Sequence, residues 1–175
     1  MRKMCYLGNK ILREKCKPVK EITPEIVRIA HELIETMKVH NGLGLAAPQI
    51  GYNYRMFAIQ ISDEVDEENY PRDAPAQVLI NPIITRFSKE KVVLTEGCLS
   101  IPGLHEEVIR PKSIDIEALD LNKNLIVEKD LKFWRGRCIQ HECDHLDGVL
   151  FIDRLPNKLK RFHDPKLKEI EAKYR

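Results

Sequence analysis

Phe133-Trp134-Arg135-Gly136-Arg137-Cys138-Ile139-Gln140-His141-Glu142-Cys143-Asp144-His145-Leu146 is the stretch from which the fold of this chain is best read. Its pattern is helical, and inside it stands His141-Glu142-Cys143-Asp144-His145, an HExxH motif. Residues four apart share one helical face, so both imidazoles can reach a single ion from the same side. Glu142 projects about 100° further round the helix, near enough for its carboxylate to meet a water on that ion without becoming a ligand. Metal-assisted hydrolysis needs this arrangement: the ion brings the pKa of water towards roughly 7 and polarises a carbonyl, while the carboxylate removes and returns a proton. The plainer alternative is a chance match on a solvated helix face.

A catalytic ion usually takes three protein ligands and keeps one position open, so a third donor must come from elsewhere. In the longer HExxHxxGxxH pattern Gly148 fits, but the position that should be histidine is Phe151, and that reading fails. A downstream glutamate would have to be Glu169 or Glu171, both in a charged tail. Cys98 is the better candidate. It lies in Glu96-Gly97-Cys98-Leu99-Ser100, where glycine permits a bulge and the flanking apolar run suggests a buried strand. A lone buried cysteine is as often a packing residue. Cys138 stands one turn before the histidines on their own face, which would put three donors in a row, so it is expected to line the pocket instead. Cys143 is expected to pack.

Outward from the motif helix, Thr23-Pro24-Glu25 supplies an N-cap hydroxyl, a proline at the first helical position and an acid in the first turn. Ile26, Ile29, Ala30, Leu33, Ile34 and Met37 follow at helical spacing until Asn41-Gly42, which predicts a helix from about Pro24 to His40. Met56 to Ile61 and Gln77 to Arg86 read as strands, with an acidic, proline-broken loop from Ser62 to Pro75 between them. Ser113 to Asp120 and Leu125 to Asp130 form a predicted hairpin about Leu121-Asn122-Lys123-Asn124. The tail after Pro156 shows a fresh helix start at Asp164-Pro165. Strands in the middle with helices at each end predict an α+β fold of antiparallel sheets, in one domain spanning 1–175.

Composition agrees with an ordinary globular chain: 43% of the 175 residues are hydrophobic and 32% charged, enough for one substantial core. A net charge of +2 gives no global field to draw in DNA or an anionic membrane. The first twenty residues alternate charged and apolar side chains, unlike a secretory signal, and no later run approaches a membrane span, so a cytoplasmic location is expected. Five scattered cysteines, an odd number, read as reduced thiols.

Three segments then stand together: Gly42-Leu43-Gly44-Leu45-Ala46-Ala47-Pro48-Gln49, Glu96-Gly97-Cys98-Leu99-Ser100 and Gln140-His141-Glu142-Cys143-Asp144-His145-Leu146. In this order and at these separations they resemble the three signature motifs of the peptide deformylases, and the resemblance runs from the helix at Pro24 through the tail. It implies antiparallel sheets around a central HExxH helix, and hydrolysis of the formyl group from the N-terminal methionine of nascent polypeptides, with release of formate. Cys98, His141 and His145 would be the metal ligands and Glu142 the general acid and base. Gln49 through its side-chain amide and Leu99 through its backbone N–H would stabilise the oxyanion. Gly44 and Gly97 would let the substrate backbone approach and pair as an added strand.

By position, Leu43, Leu94, Trp134 and Cys138 are candidates to line a methionine pocket, with core packing as the equal alternative. Arg137 is harder to place, since a charge in such a pocket is costly unless its head reaches solvent. His105 either faces the outer part of the substrate or is a surface residue. Asp144 or Glu96 is expected to pair with Arg110 and hold the cysteine strand against the metal helix.

The ligand set suits zinc by softness and geometry, whereas the resemblance implies ferrous iron, with nickel or cobalt as working substitutes. The basic tail from Pro156 to Arg175, with seven basic and three acidic side chains, would by the same resemblance make a weak ribosome contact, or else form a solvated helix. Two other functions stay open on the residues alone: a small metalloprotease or amidase cutting internal bonds, and a non-catalytic metal-binding or ribosome-associated module with no use for Glu142.

Overall fold

The computed structural model describes residues 2–62 and 74–174. Most of the acidic loop read at Ser62 to Pro75 lies outside the described residues. Helix α1, Pro24–Val39, begins where Thr23 Oγ1 accepts the Ile26 N–H, and its apolar stripe of Ile26, Ile29, Ala30, Leu33 and Met37 is buried. It ends as Asn41 turns to a positive φ of 52° and the Gly42 N–H returns to the Met37 carbonyl, one residue short of the sequence expectation.

Among the described residues seven strands form two antiparallel sheets. Strands β1 (Gly44–Ala46), β2 (Met56–Ile59), β3 (Gln77–Phe87), β6 (Ile114–Leu119) and β7 (Leu125–Leu131) lie side by side in that order. Strands β4 (Lys91–Cys98) and β5 (Ile101–Pro111) make a separate two-stranded arm. The predicted hairpin is β6–β7, its turn fixed by Asp120 Oδ1, which accepts the N–H groups of Asn122 and Asn124. The sequence does not announce the β4–β5 arm as a hairpin, and its first strand is no buried run. Side chains alternate between exposed and covered along β4, as a two-stranded sheet with one packed face requires.

Helix α2, Phe133–Leu146, runs over the span read from the sequence and sits between the sheets, buried from Gly136 through Leu146. Its inner face packs with Ala46, Phe57, Ile59, Ile114 and Ile116. A central HExxH helix within antiparallel sheets is therefore what forms. The tail differs from expectation. A single helix α3, Asn157–Tyr174, passes straight through Pro165 rather than starting there. Proline forfeits one backbone bond, and anchors on either side of it hold the helix: His163 Nε2 to Glu106 Oε1 at 2.5 Å and the buried Ile170. None of these helices is long and apolar enough to cross a membrane, among the described residues.

Candidate metal centre

Two devices bring Cys98 to the motif helix. The turn Leu99-Ser100 closes β4 onto β5 with Cys98 opposite Ile101, while the preceding pair is Gly97 opposite His105. The three residues Pro102 to Leu104 therefore bulge out of register, with Gly103 at a φ of 73°. The N-terminal segment then pins the turn, since the Leu7 N–H donates to the Ser100 carbonyl and the Cys5 N–H to that of Gln49.

Cys98 Sγ, one nitrogen of His141 and one of His145 lie within 4.8 Å of one another. Cys98 Sγ stands 3.3 Å from His145 Nε2. Two ligands that share a tetrahedral ion at about 2.0–2.3 Å are separated by about 3.5 Å, so nitrogen, nitrogen and thiolate sulfur fit a divalent metal in both chemistry and spacing. His141 is oriented from behind, its Nδ1–H donating to Glu96 Oε2 at 2.9 Å, which leaves Nε2 for the ion. Glu96 is two residues before Cys98 and so shares its strand face.

Cys98, His141 and Glu142 line a cleft of about 510 Å³, together with Leu43, Gly44, Gln49, Gly97, Leu99, Trp134 and Cys138. His145 lies beneath it, 1% exposed. Gln49 is fixed through Oε1, which accepts the Ala46 N–H at 2.8 Å, while its Nε2 faces Ser100 Oγ at 3.2 Å and Cys98 Sγ at 3.6 Å. Glu142 Oε2 is buried with no hydrogen-bond partner among the described residues. Leu94 alone of the proposed pocket residues is absent from the lining; it is half-buried on β4, opposite Val108.

The sequence pattern of the polypeptide deformylases matches residues 1–161. The chain belongs to that family. It is 45% identical over 156 residues to a peptide deformylase of Picosynechococcus sp., a match covering 88% of this chain and 79% of that protein. Among solved structures, a peptide deformylase from Thermus thermophilus superposes with a TM-score of 0.84 at 36% identity over the whole of both chains. One from Plasmodium falciparum gives 0.86 at 33% identity, covering 98% of this chain and 96% of that one. As a deformylase the chain is an enzyme, a hydrolase of protein biosynthesis.

The charges of this deformylase are divided between two buried carboxylates. Burial opposes ionisation of Glu96, but hydrogen bonds from Arg110 and His141 prevail and hold it well below the usual carboxylate range. Glu142 has no such partner, and burial pushes it up to about 7. Burial also disfavours charge on His141, yet Cys98 and Glu96 raise it to about 10, so the site favours a cation at this point. Burial pushes the Cys138 thiol far above its ordinary value, and it lines the cleft as a neutral group.

Three readings change with the geometry. Arg137 does not send its head to solvent; it is 4% exposed and donates to Glu96 Oε1 at 2.8 Å and to the carbonyls of Val108 and Val92. Arg110 pairs with both expected acids at once, with Glu96 through Nε and Nη2 and with Asp144 through Nη1 at 2.6 Å, and Asp144 also receives Arg154. Gly44 and Gly97 have reasons beyond substrate approach. A Cβ on Gly44 would stand 2.5 Å from Glu142 Oε1, and one on Gly97 2.5 Å from the exposed His105 ring, which is part of the cleft wall.

The Arg137–Glu96 pair escapes a reading of the sequence, although Arg137 stands four residues before His141 on the helix and Glu96 two before Cys98 on the strand. Those offsets were the available signal. Ser100 as a partner of Gln49, and Tyr6 and Tyr174 as cleft residues, had no local signal at all.

Proposed function

We propose that this chain removes the formyl group from the N-terminal methionine of newly synthesised polypeptides in the cytoplasm, releasing formate, with one divalent metal held by Cys98, His141 and His145. The observation that carries the reading is the convergence of these three donors on the cleft into which Glu142, poised at about 7, is turned. A metal bound there would lower the pKa of water towards roughly 7 and polarise the formyl oxygen. Glu142 is the group that takes the proton from the attacking water and delivers it to the leaving amine, since a carboxyl near neutrality can do both. Gln49 Nε2 and the Leu99 N–H are the donors for the oxyanion, and loss of one such donor costs about 2.7 to 4 kcal/mol of transition-state stabilisation.

The methionine side chain enters between Leu43, Trp134 and the neutral thiol of Cys138. Leu94 backs the β4 wall at a distance from the cleft. The substrate backbone runs along Gly44, on the edge strand of the five-stranded sheet, and past Gly97 as an added strand. Ferrous iron is the proposed native ion, with nickel, cobalt or zinc able to occupy the same donors. Iron beside a thiolate makes the enzyme oxygen-sensitive. The basic tail adds a weak electrostatic contact to the ribosome; equal co-sedimentation with and without the tail removes that part.

Anaerobic purification with elemental analysis and a formyl-Met-Ala-Ser assay tests the whole reading. Glu142→Ala is expected to keep its metal and lose turnover by at least about 10²-fold. Retained turnover overturns the role of Glu142, and cleavage of internal bonds in unformylated peptides favours a protease instead.

A further inference from the structure

The mouth of the cleft has a wall that belongs neither to the metal ligands nor to α2. Tyr6, near the start of the chain, and Tyr174, the last residue of α3, stack with ring centroids 3.9 Å apart and planes 23° apart, and both line the cleft. Each is rooted in a different part of the core. Tyr6 packs against the cluster that holds Met37 and Leu45, and Tyr174 against the one that holds Ile101 and Leu104.

Helix α3 packs along its length through Leu159, the His163–Glu106 pair and Leu167, and its deepest contact lies at this corner. Its one buried side chain is Ile170, four residues before Tyr174, and Glu171 lies against Gly8, where an added Cβ would meet its Cγ at 3.3 Å. The outer face of the helix is solvated, with Phe162 75% exposed.

Both rings are only half-buried; each has one face in the stack and Lys173 Nζ stands 5.2 Å from the Tyr174 ring centroid, so the pair meets the cleft with aromatic edges and hydroxyls, a combination suited to a peptide side chain. An extended substrate advances about 3.3 Å per residue. With its formyl group at the metal and its methionine against Trp134 and Cys138, the residues that follow must leave past the rim. We infer that Tyr6 and Tyr174 form a shelf that selects for apolar or aromatic side chains at the third and fourth substrate residues. This rests on the deformylase reading above.

The test compares formyl-Met-Ala with formyl-Met-Ala-Ser-Phe on the metal-loaded full chain. Tyr174→Ala is expected to lower the ratio of kcat/KM for the long peptide over the short one by about five-fold, the scale of one lost aromatic contact. The change should come through KM, and Tyr174→Phe should restore the ratio. Calorimetric titration with unformylated Met-Ala-Ser-Phe should show the same weakening for Tyr174→Ala. A ratio equal to wild type, or a ratio not restored by Tyr174→Phe, overturns the shelf. If the wild type deformylates neither peptide, the deformylase reading fails separately, and the titration alone decides: weaker binding to Tyr174→Ala supports the shelf, equal binding refutes it.

Discussion

Helix α2 has 14 residues and is buried from Gly136 through Leu146, whereas α3 has 18 and buries only Ile170. The difference lies in what each helix must satisfy. Along α2 nearly every side chain has an assigned partner: Arg137 holds Glu96, Gln140 reaches the Pro111 carbonyl, His141 donates to Glu96, and Asp144 takes Arg110 and Arg154. Along α3 the pair of His163 with Glu106 is covered, but the lysine pairs are solvated, such as Lys168 with Asp164 and Lys166 with Glu169. Burial thus constrains residue identity more tightly on α2 than on α3.

The contrast breaks first at Arg110. Removing its head in Arg110→Ala strips one partner each from the buried Glu96 and Asp144, and a broken buried pair costs about 3–5 kcal/mol. Denaturant unfolding should read that loss, and metal content after dialysis should fall with it. Unchanged stability and metal retention would mean that Arg137 and Arg154 suffice.

On α3 the corresponding cut is Ile170→Ala, which should cost about 2 kcal/mol, at the low end for a buried isoleucine because a helix with one solvated face can settle into the space. A loss as large as that for Arg110→Ala would mean that α3 is as tightly built in as α2.

Acid should separate the regions further. The folded carboxyl of Glu96 lies below the ordinary 4.5, so its stabilising contribution is complete above about pH 4.5 and declines as pH falls from there. Unfolding measured between pH 6 and 3 should show this decline in the wild type and a flatter profile in Glu96→Gln. Smallest of all, Lys168→Ala should leave the unfolding midpoint where it was, since its partner is held across solvent.

Legibility in the sequence followed the same division. Helix α2, its two histidines and Glu142 could be read because a helical period and a fixed spacing are local. Helix α1 could be read from Thr23-Pro24-Glu25 and its stripe for the same reason. Cys98 needed partners 43 and 47 positions away, and only the resemblance among three motifs joined them. The β4–β5 arm was hidden because an exposed strand such as Lys91–Cys98 alternates weakly, with Val93 on the open face. The false helix start at Asp164-Pro165 was a correct local signal overruled by the anchors at His163 and Ile170. The tyrosine pair joins the two ends of the chain, a separation no window spans.

The separate origins of the three donors set an order of events for a newly made chain. The sulfur belongs to a hairpin tip and the imidazoles to a helix translated some forty residues later, so no early fragment holds the full set. With Cys98, His141 and His145 as the proposed donors, complete coordination of an ion would wait until hairpin and helix have docked. Loading would then mark the end of folding, and a chain stalled with its arm undocked would stay inactive however much metal surrounds it.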